Sequence, residues 1–219
     1  NLKLTLFLGP LKMISRILFL IFIVIPVTAF GHSPVAYVLP QDGSVIKKAP
    51  DEMEIVFTGP SKLIKLTLQK FASNEKKSFI GSLLTDEGET VALSGDYLMK
   101  ENKRHLIALP PLDEGTYQTN WRALSEDGHT IKGEFSFEVS PEGIDFVSAE
   151  SASLKGEGQI KRIRGSKVTI KHGAIGDLMP AMTMEYSVPD KQTLASLKKG
   201  DNVLFTLNKD LEIIDLTSQ

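Results

Sequence analysis

Residues 115–139 read GTYQTNWRALSEDGHTIKGEFSFEV. Tyr117, Thr119, Trp121 and Ala123 alternate with polar neighbours, and Phe135, Phe137 and Val139 repeat the pattern beyond the Glu126-Asp127-Gly128 break. A period of two puts successive side chains on opposite faces of a strand. An Asp-Gly step between two such runs turns one strand back on the other. The stretch predicts an antiparallel hairpin with one apolar face that another layer has to cover.

The flanking sequence supplies that layer. EMEIVF (52–57) sets Met53, Ile55 and Phe57 against Glu54 and Val56, and LIKLTL (63–68) places Ile64, Leu66 and Leu68 on one face. Turn signals QDGS (41–44), LPPLDEG (109–115) and EDG (126–128) separate these runs. One sheet cannot bury so many apolar faces, so residues 34–139 are expected to form two antiparallel layers, as a sandwich or barrel. The texture changes over 141–155, which is rich in Ser, Gly and Glu and reads as a flexible linker, with Gly156-Glu157-Gly158 continuing its character. Beyond it, QIKRI, KVTIKH, MTMEYSV, NVLFTL and LEIIDL are short strands, with a helical KQTLASL before the KKGD turn. Five strands within 156–219 suit a small barrel of OB type. The expected fold class is all-β: a sandwich, a linker and a five-stranded barrel.

Composition narrows the class further. The chain has 219 residues, 42% apolar and 24% charged, with a formal charge of −2. That balance gives no basic surface for nucleic acid or anionic lipid. The absence of cysteine rules out disulfides, thiolate metal sites and cysteine nucleophiles. From Met13 the chain reads MISRILFLIFIVIPVTAFGHS, with a basic Arg16, an unbroken apolar run Ile17–Ile25 and small residues at Ala29 and Gly31. This is the pattern of a secretory signal peptide cut after Gly31, so that the mature chain starts at His32 and residues 1–31 are upstream segment and leader. The apolar stretch is shorter than the ~20 residues a membrane-spanning helix needs.

MPAMTM (179–184) holds three of the six methionines. Met182 and Met184 lie two apart on a strand and point to the same face. His172 ends KVTIKH on the parity of Val168 and Ile170, and the GAIGDL loop (173–178) brings the two strands together as neighbours. Met179 stands just ahead, braced by Pro180. Methionines often do no more than fill a core. One imidazole with two or three thioethers is, however, a soft donor set that selects Cu(I) or Ag(I) over hard cations. HGAIGDLMPAMTMEYSV followed by LKKGDNVLFTL resembles the CusF-like family of periplasmic copper and silver chaperones, over residues 156–219. The resemblance implies that His172, Met182 and Met184 hold Cu(I) or Ag(I). A tryptophan caps the metal in that family where this chain has Met179, which makes Met179 a candidate fourth ligand.

A second constellation is of a different kind. His129 follows Asp127 by two residues, and cleavage after Gly31 gives His32 both an α-amine and an imidazole. Two imidazoles, an amine and a carboxylate form the tetragonal N,O set that suits Cu(II). Taken alone, Asp127-Gly128 also reads as a hairpin turn whose Asp caps backbone amides. HSPVAYVLPQDGSVIKKAP, EIVFTGP and GTYQTNWRALSEDGHTIKGEFSFEV resemble the CopC family of periplasmic copper-binding sandwiches, over residues 32–140. This resemblance implies a Greek-key sandwich and Cu(II) ligation by His32, Asp127 and His129. Gly59 stands where many members have Glu, and FASNEKKSFIGSLL (71–84) lacks the Met-rich loop that some carry. His105 has no ligand types near it in sequence and reads as a surface or packing histidine.

Together these features point to a monomeric periplasmic copper carrier for copper resistance or homeostasis. Cu(II) is assigned to the sandwich, Cu(I) or Ag(I) to the barrel, and a membrane copper pump or importer is the natural partner. No nucleophile with its base, phosphate loop or nucleotide fingerprint is present in the sequence, and no catalysis is expected. Two alternatives remain. An amino-terminal histidine paired with a distant one is also the copper arrangement of polysaccharide monooxygenases, and two β modules without metal would make an adhesion scaffold.

Overall fold

The computed structural model describes residues 34–71, 88–146 and 154–219. The signal-peptide reading and His32 lie outside the described residues. The hairpin of residues 115–139 is present as β6 (Gly115–Ser125) and β7 (Thr130–Val139), paired antiparallel with Trp121 opposite Gly133. A Cβ on Gly133 would lie 2.4 Å from Cζ2 of the Trp121 indole, so the ring has room to lie across the ladder only because that side chain is missing. Tyr117, Thr119, Trp121, Ala123, Phe135, Phe137 and Val139 are all buried, as the alternation requires.

Before them come β1 (Val35–Leu39), β2 (Ser44–Ile46), β3 (Glu52–Phe71), β4 (Glu89–Val91) and β5 (Glu101–Ala108). EMEIVF and LIKLTL are not separate strands: β3 is one strand of twenty residues that serves two layers. Its first part pairs with β1 and β5, its second part pairs with β6 and β4, and β5 resumes briefly at Ser61 and Lys62. The change of partner falls at Thr58-Gly59-Pro60, where the ladder to β5 loses register between Val56 and Ser61. A bulge beyond it corrects the expected facing of LIKLTL. Register to β6 shifts between Leu63 and Lys65, so Leu63 rather than Ile64 is fully buried. Phe57 links the layers, meeting Trp121 edge-on at 5.3 Å and His105 at 5.5 Å.

The second module contains β8 (Lys155–Arg164), β9 (Lys167–His172), β10 (Met182–Ser187), α1 (Lys191–Ala195), β11 (Asn202–Leu207) and β12 (Ile213–Ser218). Its five strands form one antiparallel sheet in the order β10-β9-β8-β11-β12. Asp190 caps α1 by accepting from the Gln192 amide at 2.9 Å. Gly156-Glu157-Gly158 belongs to β8 and not to the linker. A Cβ on Gly156 would lie 2.5 Å from Cζ of Phe205, and one on Gly158 would lie 2.5 Å from the Lys171 carbonyl. These glycines are demanded by close packing inside a strand. Part of the expected linker is structured too. Ile144 bridges Ile46, and the Lys47 amide donates to the Ile144 carbonyl at 2.8 Å. Residues 147–153 lie outside the described set.

The outer face of the β1-β3-β5 layer is covered, contrary to the alternation of EMEIVF. Ala36, Tyr37, Leu39 and Val56 share an apolar cluster with Ile160, Ile170, Met179 and Met184 of the second module. Glu54 is buried because the Arg104 guanidinium holds it through two hydrogen bonds, of 2.7 and 3.0 Å. A paired and fully bonded ion pair is the form in which burial of two charges is tolerable. The Gln41 amide donates to the Asp177 carbonyl, tying the β1–β2 turn to the β9–β10 loop. No helix among the described residues is long and apolar enough to cross a membrane.

Candidate metal centre

The β9–β10 ladder sets the geometry of the soft donors. Met182 stands directly opposite His172, and Met184 opposite Ile170. Directly opposed side chains on one face have Cβ atoms about 5 Å apart. His172 therefore has Met182 as its cross-strand partner and Met184 on the diagonal. Met179 arrives from the loop, where Ile175 and Met179 form a backbone bridge: the Ile175 amide donates to the Met179 carbonyl at 2.9 Å, and the return bond is 3.3 Å. That bridge, as well as Pro180, fixes where the Met179 side chain goes. Met179 and Met184 are buried and Met182 half-buried, so Met182 faces the approach to the cluster.

His172 is buried at 3% exposure and is held at both ring nitrogens. Nδ1 lies 2.7 Å from the Gly173 carbonyl and Nε2 lies 2.8 Å from the Tyr186 hydroxyl. A carbonyl only accepts, so Nδ1 carries the proton and the neutral ring keeps its lone pair on Nε2. The Tyr186 hydroxyl donates to that lone pair and lies 3.9 Å from the Met179 sulfur. Tyr186 and Phe205 flank the imidazole, with centroids at 5.8 and 6.0 Å. Burial pushes the His172 pKa down, with the Gly173 carbonyl opposing it, and pushes the Tyr186 phenol well up. His172 is thus a neutral nitrogen donor at neutral pH beside thioether sulfurs, a set whose softness fits a monovalent coinage-metal ion. Tyr186 was not foreseen as part of the cluster, although it shares the parity of Met182 and Met184 in MTMEYS.

Asp127 and His129 occupy the β6–β7 turn, where Gly128 takes a φ of +82°. His129 Nδ1 lies 2.9 Å from an Asp127 carboxylate oxygen, and both side chains are largely exposed. The other carboxylate oxygen accepts from the Ser125 hydroxyl and, at 3.4 Å, from the His129 amide. The hydroxyl bond first, then His129, lowers the Asp127 pKa to about 2, so the carboxylate is ionised at any physiological pH. The Asp127 carboxylate thus caps the turn through one oxygen and meets the His129 ring through the other. Among the described residues no three His, Cys, Asp or Glu side chains converge as a metal site. His32, the remaining member of the expected hard set, lies outside them. The first described residue of the sandwich is nonetheless at the same end: the Pro34 carbonyl accepts from the Thr58 amide at 2.9 Å, and Ser61 pairs with Ser125.

His105 is a packing histidine. It is buried at 3% exposure, with Nε2 3.0 Å from both the Ser61 and Asn102 carbonyls. Burial lowers its pKa, with those carbonyls opposing the shift. With both buried histidines depressed in the fold, the unfolded chain binds more protons below pH ~6.5, the ordinary value. Stability carried by these groups is complete above that pH and declines as pH falls from ~6.5 towards the folded pKa values. Urea midpoints are expected to drop across this window. His105→Gln should flatten part of the drop, and an unchanged slope would contradict the assignment.

The comparisons with known proteins follow the same division. Residues 36–140 match the model of the CopC domain, and residues 153–217 match that of the copper binding periplasmic protein CusF. The Bacillus subtilis (strain 168) copper transport protein CutJ is 27% identical over 142 residues, 64% of this chain and 23% of that protein. The chain thus spans about a quarter of the length of that relative. The Escherichia coli copper resistance protein C is 27% identical over 114 residues, 51% of this chain and 84% of that protein. Among solved structures, E. coli PcoC aligns at 24% identity with a TM-score of 0.38, covering 49% of this chain and all of that one. CopC from Methylosinus trichosporium OB3b aligns at 21% with a TM-score of 0.36, covering 51% of this chain and 96% of that one. The chain is a CopC domain followed by a CusF-type domain.

Proposed function

We propose that the protein is a periplasmic copper carrier for copper resistance or homeostasis, exported with His32 as its first residue and acting without catalysis. Its domains are a sandwich over 32–140, a connection over 141–155 and a metal-binding barrel over 156–219. The barrel takes Cu(I) or Ag(I) through His172, Met182 and Met184, with Met179 as a fourth donor. The sandwich takes Cu(II) through His32, Asp127 and His129. One observation carries this reading: a neutral imidazole stands opposite Met182 in the ladder, with the Met184 and Met179 thioethers on the same buried side.

The hard site draws support from chain geometry. Thr58 and Ser61 lie three residues apart on β3, about 10 Å at a strand's rise. One bonds Pro34 and the other pairs with the strand leading into the Asp127–His129 turn. The first described residue of the sandwich and the strand leading into that turn thus both meet one short stretch of β3. The two donor sets differ in softness, so each module holds one oxidation state of the same element. A monomer of this kind hands its metal to a membrane copper pump or importer.

Native mass spectrometry of the exported protein tests the reading. With Ag(I) and Cu(II) supplied together, each chain is expected to carry one silver and one copper ion at once. Displacement of one ion by the other, or silver uptake without copper, would contradict the two-site assignment.

A further inference from the structure

The hydroxyl of Tyr186 occupies the one atom of His172 that a metal needs. The Gly173 carbonyl fixes the ring proton on Nδ1, which leaves Nε2 as the only lone pair of the imidazole. That lone pair already accepts from the Tyr186 hydroxyl at 2.8 Å. It serves one partner at a time. Tyr186 has 0% exposure, so when displaced its O–H group has no solvent to turn to. The other acceptor in view is the Met179 sulfur at 3.9 Å, a weak one and itself a candidate ligand.

We propose that Tyr186 is an internal competitor for copper: its hydroxyl holds the Nε2 lone pair of His172, and Cu(I) or Ag(I) gains that nitrogen only by displacing it. The proposal rests on the soft-site reading above and adds a positioning and affinity-setting residue to it. Binding exchanges a good O–H···N bond for a poor O–H···S contact, so the wild-type site is weaker than its donors alone would make it. The same bond also re-forms as metal leaves, which favours release to an acceptor. Tyr186 thereby suits the protein to passing copper on instead of storing it.

Tyr186→Phe removes the competing hydroxyl and keeps the ring that packs against Phe205 at 5.5 Å and His172 at 5.8 Å. The buried Nε2 is then unpartnered unless a metal takes it. A lost buried hydrogen bond corresponds to roughly tenfold in an equilibrium constant. Competition against a chelator is therefore expected to show Ag(I) bound about tenfold more tightly by Tyr186→Phe than by wild type. Melting supplies a second readout: metal-free Tyr186→Phe melts below metal-free wild type, and saturating Ag(I) raises its midpoint by more. If wild type binds Ag(I) and the variant binds it equally or less tightly, the competitor role is wrong. Weaker binding would make Tyr186 a ligand or a purely structural residue. If wild type binds no Ag(I), the soft site itself is misassigned, and this inference falls with it.

Discussion

Replacing Met182 and Met184 together by leucine is expected to remove tight Cu(I) and Ag(I) binding from the second module while leaving its fold intact. Leucine nearly matches methionine in volume, and such exchanges cost less than about 1.5 kcal/mol each in a packed core. Met184 is buried opposite Ile170 and Met182 is half-buried opposite His172, so both positions accept an aliphatic side chain. What is lost is the sulfur. Of the four proposed donors only His172 and Met179 remain, and two donors hold a soft ion far less well than four. Changes to residues that merely orient ligands cost about 10- to 100-fold in affinity, so loss of two direct donors should exceed ~100-fold. Competition titration with a Cu(I) chelator, beside circular dichroism to check the fold, measures both effects. Unchanged affinity in the folded double variant would reduce the methionines to core filling.

His129→Ala is the second large effect, and it falls on the other metal. The His129 side chain is 80% exposed, so its removal should move stability by no more than about 0.5 kcal/mol. Asp127 keeps its bond from Ser125 and stays ionised, so the turn survives the substitution. If His129 is a ligand, the tetragonal Cu(II) signal of the exported protein in electron paramagnetic resonance should be lost, with a fall in affinity on the order of 100-fold or more. Ag(I) binding by the second module should not change. A Cu(II) spectrum identical to that of wild type would leave the Asp127–His129 contact as a turn device alone.

Both modules were legible in the sequence because their strands alternate cleanly. The facing of β6 and β7 follows from Tyr117 to Val139 without adjustment. Failures occur where a local pattern meets a tertiary demand. The bulge in β3 exchanges Ile64 for Leu63, and no alternation pattern signals an inserted residue. Glu54 and Val56 look like an outer face, but Val56 is buried in the cluster shared with the second module and Glu54 in its pair with Arg104, which a pattern confined to one strand does not register. Gly156 and Gly158 look like linker composition. Their absent side chains instead make room for Phe205 and for the backbone of Lys171, a need that exists only once the strands are paired.

The soft cluster was legible for a similar reason. A same-face methionine pair and a histidine of fixed parity need only adjacent strands in register, and the ladder supplies that register. The part played by Tyr186 was not legible. Its parity places it on the correct face, but only the depth of the ring and the reach of its hydroxyl bring it onto Nε2. On the sandwich, spacing brought Asp127 and His129 together, and the structure adds that the carboxylate is pinned in its ionised form by Ser125.

Valence sorting by donor softness is the claim on which the account turns. Copper K-edge X-ray absorption on the exported protein carrying one equivalent of Cu(I) tests it most directly. A first shell dominated by sulfur is expected, with one nitrogen neighbour from His172, and the double leucine variant should keep at most the single sulfur of Met179. A cuprous ion surrounded only by nitrogen and oxygen would contradict it.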